Sequence, residues 1–166
     1  MLSEGFAALI ALLGVAQADL GQTSTFVLTG TGRFAVFADT TSIQREGDLV
    51  RMRAFQVVEP SFTAGDAAYW GGWSWWAFDC AARTADRLDF ASVREGGVEG
   101  PAMADDAPPY EAAPGGDAAE LLAVACGATV TAPDATTLEE AVRIGRAALA
   151  EWIRASAPAV SPGRDV

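Results

Sequence analysis

Two cysteines, Cys80 and Cys126, are the only thiols of this 166-residue chain. Four of its five tryptophans, Trp70, Trp73, Trp75 and Trp76, crowd into the stretch WGGWSWWAFDC that ends on the first of them. Thiols can close a disulfide, and indole rings can stack on sugars and peptides or anchor a core. Other chemistry is scarce. Histidine is absent and all 11 basic residues are arginine. Ser-His-Asp, Cys-His and Ser-Lys nucleophiles, a Schiff-base lysine and a Walker lysine are therefore excluded. Two cysteines without histidine cannot complete a structural zinc site. The carboxylates that remain are Asp105-Asp106, Glu139-Glu140 and the scattered Asp39, Asp79, Asp86 and Asp89. Hydrolysis by carboxylates needs two of them held a few ångströms apart across a cleft. No run has the alternating acids and closing glutamate of a calcium loop. No catalytic residue, metal or cofactor is expected.

The stretch GTGRFA (30–35) matches the glycine pattern of dinucleotide sites, which requires a helix to follow. Here RFAVFAD follows and reads as a strand, so Gly30 and Gly32 are assigned to a turn. A net charge of −11 with a pI near 4.2 lacks the basic footprint that nucleic acid or an anionic membrane surface demands.

Compartment is written at the start of the chain. GFAALIALLGVAQA is an apolar run from Gly5 to Ala18, ending in an A-x-A cleavage pattern before Asp19. It is too short for a permanent membrane span. Its leading MLSE carries Glu4 and no positive charge, unlike an ordinary signal n-region. Residues 1–18 are read as a signal peptide, and the protein as periplasmic or secreted. The mature chain has no integral membrane segment, and no cysteine stands near the cleavage point to take a lipid. In an oxidising compartment an even cysteine count suggests a bridge, here Cys80–Cys126.

The elements that would position these groups follow from periodicity. Strands are expected from Phe26, over 33–39 and over 49–59, with TTSIQREGD as the hairpin turn and Gly47-Asp48 at its tightest point. Arg51 and Arg53 share one face of the 49–59 strand, and Val50, Met52 and Ala54 the other. Asp39 to Ile43 is expected to fix a turn, and 59–72 to be a loop. In the tryptophan strand Trp76, Phe78 and Cys80 point to the core; Trp73 and Trp75 point the opposite way. Leu88 and Phe90, on the strand 86–95, are expected to join Trp76 and Phe78 in the core. Residues 96–117 are irregular. Helices close the chain at 117–126 and from Thr137, which with Glu140 forms a capping box. The second helix carries Leu138, Ala141, Val142, Gly145, Leu149, Trp152 and Ile153 on one stripe.

The order of these pieces resembles the surface-adhesin protein E family. RFAVFADTTSIQREGDLVRMRAFQVVE (33–59) is similar to its aromatic strand, D-x-x-S-I, charged glycine turn and following strand. WAFDCAAR (76–83) resembles its acidic-cysteine strand, and AELLAVAC (119–126) its closing helix and cysteine. The similarity covers about residues 33–127. It implies an exported α+β domain, an antiparallel sheet with the 117–126 helix tied to it through Cys80–Cys126, and adhesin-like binding to host extracellular proteins.

The expected architecture is therefore α+β: a small antiparallel β-sheet, a disulfide-tethered short helix and an additional C-terminal amphipathic helix. The sheet domain spans 22–132, the C-terminal helix 133–156 packs on it, and 157–166 is a flexible tail. The expected function is non-enzymatic binding at the envelope, to a protein or glycan partner. Tyr69, Trp70, Trp73 and Trp75 are the candidate binding residues, with Arg51 and Arg53 as polar contacts. The alternatives are a carbohydrate- or peptide-binding module using exposed tryptophans, and a carboxylate-based envelope hydrolase.

Overall fold

The computed structural model describes residues 24–127 and 132–157. The signal segment 1–18 and residues 158–166 of the tail lie outside the described residues.

The architecture is α+β, built on one antiparallel sheet. β1 (Phe26–Thr31), β2 (Ala35–Glu46) and β3 (Leu49–Val57) form a meander. β4 (Thr63–Ala64) pairs with the start of the long β5 (Ala67–Asp79), which lies along β3. β6 (Thr84–Arg87) and β7 (Asp89–Arg94) pair with the second and first halves of β5. β8 (Val98–Glu99) and β9 (Met103–Ala104) pair with β7, and β10 (Tyr110–Glu111) pairs with β6. α1 (Asp117–Ala125) and α2 (Leu138–Ser156) complete the fold.

The two-residue period of the central strands explains where the helices go. Val50, Met52 and Ala54 of β3 face the same side as Trp76 and Phe78, and α1 covers that side with Leu121, Leu122 and Ala125. Phe55 and Val57 of β3 face the opposite side with Phe37 and Trp73, where α2 packs Ala141, Val142 and Leu149. Strands apolar on both faces must be covered on both. The Cys80–Cys126 disulfide, with 5.6 Å between Cα atoms, joins the residue after β5 to the C-cap of α1. It closes a loop worth about 4 kcal/mol in chain entropy. The free edge of β1 is closed too: the Phe26 amide donates to the Ala135 carbonyl and the Leu28 amide to Asp134 Oδ2 (2.7 Å). Blunted edges discourage pairing with other chains.

Four sequence expectations need correction. Asp39 to Ile43 is no turn but an irregularity inside β2, where the register against β3 slips between Asp39 and Gln44. The Thr41 amide and hydroxyl donate to Asp39 Oδ1, and Ser42 Oγ accepts from the Arg53 amide, so the side chains replace missing ladder bonds. Residues 59–72 are no loop: β4 and β5 run through them. The misleading signal was the pair Gly71-Gly72, which sits within β5 because backbone and ring come close. A Cβ on Gly71 would lie 1.8 Å from the Gln56 carbonyl oxygen, and one on Gly72 2.3 Å from the Phe90 ring. The strand expected over 86–95 breaks at Leu88, where Asp89 Oδ1 accepts from the Trp75 amide (2.7 Å). Consequently Leu88 and Phe90 are only half-buried, and Ala91 and Val93 fill the core instead. The irregular 96–117 stretch contains three two-residue strands, too short to show in sequence.

Both helices stand where expected. The Glu140 amide donates to Thr137 Oγ1 (3.1 Å), the N-cap of α2. The reciprocal bond comes from the Thr136 amide to Glu140 Oε2 (3.0 Å), one residue earlier than a capping box places it.

Candidate functional site

The β3–β5 register sets Phe55 opposite Trp73, Arg53 opposite Trp75 and Arg51 opposite Ala77. All lie on the face that α2 covers at one end only. A ladder of cations and indoles results. The Arg53 guanidinium carbon is 4.3 Å from the Trp73 ring centre and 5.9 Å from that of Trp75, and the Arg51 guanidinium carbon is 5.6 Å from Trp75. Arg53 is fixed further by a 2.8 Å ion pair with Glu99 of β8. Arg51 is exposed, and Trp75 and Arg53 are half-buried. Such contacts are worth about 0.5–2 kcal/mol each, more as water is excluded.

The four aromatic candidates do not form one platform. Trp73 is 7% exposed, wedged against Phe26 and Phe55 with ring centres 5.9 and 4.9 Å away. It is a core residue. Trp70 falls where the β5–β7 register slips, and its ring lies against the β7–β8 turn, 3.4 Å from where a Cβ on Gly97 would be. Tyr69 meets Phe62 edge-on at 6.3 Å. Trp75 lies beside both Arg51 and Arg53, whereas buried Trp73 lies under Arg53 alone. Alternation along one strand cannot separate these fates, because the Gly71-Gly72 pair and the register slip lie between Tyr69 and Trp73.

A second concave surface went unforeseen. A half-open groove of about 640 Å³ runs past the end of the sheet. Gly71, Gly72 and the Phe90 ring line it beside Phe34 and Val58, with Phe62 from the β3–β5 connection and Tyr69 from the start of β5. Leu149, Trp152 and Ile153 of α2 form its other wall. Trp152 and Ile153 are 43% and 48% exposed, although they continue the apolar stripe of α2. The stripe was visible in sequence; that its last turn overhangs the sheet was not.

A smaller cavity of about 320 Å³ is lined by Trp76, Asp86, Arg87, Asp105 and Tyr110. Arg87 Nε donates to Asp105 Oδ2 at 2.7 Å, and this bond, helped by the Ala107 amide on Oδ1, holds Asp105 below the ordinary carboxylate range. Burial pushes the Tyr110 hydroxyl up. Burial also raises Asp117, which lies in the first turn of α1 and lines neither cavity. A carboxylate hydrolase needs a raised acid facing a second carboxylate across a cleft. Here the raised acid stands apart, and Asp105 is engaged by an arginine. Among the described residues no group of three or more His, Cys, Asp or Glu is placed to hold a metal.

Comparison with known families decides the ancestry. The family model for surface-adhesin protein E matches residues 26–127. The chain belongs to the surface-adhesin protein E family. No curated protein and no solved structure matches it. The adhesin E match takes in β1 to β10, α1 and both cysteines, so the disulfide joins two points inside the family region. It also takes in the Arg51–Trp75 ladder. α2 lies beyond the match, and with it the Leu149, Trp152 and Ile153 wall of the groove. Among the described residues no helix is long and apolar enough to cross a membrane.

Proposed function

We propose that this adhesin E relative is an exported, non-enzymatic binding protein that docks an external protein through the sheet patch made by Arg51, Arg53 and Trp75. The observation that carries the reading is the ladder itself. Tryptophan and arginine are the side chains most often found at the energetic centre of interfaces. Here they are held in place by the β3–β5 register, by stacking and by Glu99, so little conformational entropy is lost on docking. Membership of the adhesin family supports an external partner, and the apolar start with its A-x-A pattern supports export. Arg53 is compensated by Glu99, but Arg51 is exposed and makes no ion pair among the described residues, which suits a partner with an acidic group.

The test uses the oxidised protein from Asp19 onward in surface binding to a panel of immobilised extracellular matrix proteins. Wild type binds at least one of them, and Trp75→Ala combined with Arg51→Glu weakens that binding by about tenfold or more. Equal binding by the double variant would rule out the patch.

A further inference from the structure

The groove at the end of the sheet is separate from the Arg51–Trp75 patch and does not depend on it. Its lining is aromatic and aliphatic: Phe62, Tyr69 and Phe90, the backbone of Gly71 and Gly72, and Leu149, Trp152 and Ile153 of α2. At about 640 Å³ it has the size of a small-molecule site rather than of a protein interface. Two charged residues line it, Arg33 and Glu59. Both are exposed and neither makes an ion pair among the described residues, but their aromatic surroundings differ. The Arg33 guanidinium lies 5.5 Å from the centre of the Phe34 ring, so it already occupies an aromatic face. Glu59 is exposed and makes no ion pair among the described residues. The Phe62 amide donates to the Glu59 carbonyl (3.0 Å), a turn that holds the free carboxylate and the Phe62 ring at one rim. The faces of Phe62, Tyr69 and Trp152 carry no stacked cation among the described residues. Aromatic faces beside an unpaired carboxylate select cations, and a chain of net charge −11 draws them in.

We infer that this groove binds a small amphipathic cation, an apolar body carrying one ammonium group, with the body against Leu149, Trp152 and Ile153 and the ammonium between Glu59 and the Phe62 and Tyr69 rings.

The experiment titrates the oxidised protein with decyltrimethylammonium and with decanoate, each below its micellar concentration, by isothermal calorimetry. Wild type, Glu59→Gln and Trp152→Ala are compared, with thermal melts verifying that each variant is folded. Both substituted side chains are exposed, so neither change removes core packing. Wild type should bind the cation about fivefold tighter than decanoate. Glu59→Gln should bring the two ligands to within about twofold of each other, and Trp152→Ala should weaken both by about tenfold. The inference is overturned if decanoate binds as tightly as the cation, if the preference survives Glu59→Gln, if Trp152→Ala leaves both affinities intact, or if neither ligand saturates. Loss of matrix binding through Arg51 and Trp75 would leave each of these readings unchanged, so the two sites fail separately.

Discussion

The guanidinium of Arg53 sits 4.3 Å from the centre of the Trp73 ring, placing a charged group directly over the indole that the core has swallowed. Its Nε is buried without a hydrogen-bond partner, while a terminal nitrogen reaches Glu99 at 2.8 Å. The guanidinium is thus held by the ring below it and by Glu99 at its end. Arg53 is both the lid of the second core cluster and the floor of the proposed docking patch.

Arg53→Ala should lower stability by about 1–2 kcal/mol, through lost stacking and packing, and red-shift tryptophan emission as Trp73 is wetted. Glu99→Gln should cost under about 1 kcal/mol, because that ion pair is substantially exposed. Chemical denaturation followed by fluorescence separates the two. Equal losses would mean that the ion pair, not the ring, holds Arg53.

Removing the bridge by Cys80→Ser with Cys126→Ser should lower stability by about 4 kcal/mol, for a sequence separation of 46. The loss should appear chiefly as freedom of α1, whose C-cap is Cys126. Hydrogen exchange at Leu121 and Leu122 reads this directly. Protection at those amides equal to that of wild type would show that packing alone secures the helix.

Gly71→Ala should be among the most damaging single changes, about 3 kcal/mol or more, since its Cβ would lie 1.8 Å from the Gln56 carbonyl oxygen. Gly32→Ala, with no atom within 4 Å of its Cβ, should be nearly neutral. A thermal melt of the pair checks the contrast.

Acid should act on the β6–β10 corner through Asp105. Its folded pKa is depressed, first by the Arg87 hydrogen bond, so its contribution to stability is present above the ordinary carboxylate value. That contribution is lost as pH falls through the lower, folded value. Arg87→Ala should move the Asp105 titration, followed by carboxyl carbon NMR, back up toward the ordinary range. An unmoved titration would assign the depression to the Ala107 amide alone.

How far residues alone carry such an account varies with the kind of element. The two-residue period separated Val50 and Met52 from Arg51 and Arg53, and Trp76 from Trp73; that the Trp73 face is a second core depends on α2 packing there. The helical stripe of α2 was equally plain. Register was not. Nothing local announces that β2 slips against β3 after Asp39, or that Asp89 breaks the 86–95 strand, because those features answer to partners elsewhere in the sheet. Glycine misled for the same reason: Gly71-Gly72 reads as a turn until Gln56 and Phe90 are seen pressed against it. Which of Trp70, Trp73 and Trp75 would be buried was likewise open in the sequence; Trp73 is the buried one, and Trp75 stands beside Arg51 and Arg53. The groove depended on where α2 ends relative to the sheet, a tertiary fact that no stripe contains.

The measurement that bears most directly on the account is the mass and location of the chain in cells that make it, fractionated without reductant and alkylated before analysis. The account predicts a chain beginning at Asp19 in the extracytoplasmic fraction, with Cys80 and Cys126 unalkylated until reduced. A chain retaining residues 1–18 in the cytosol, with both cysteines alkylated, would contradict it.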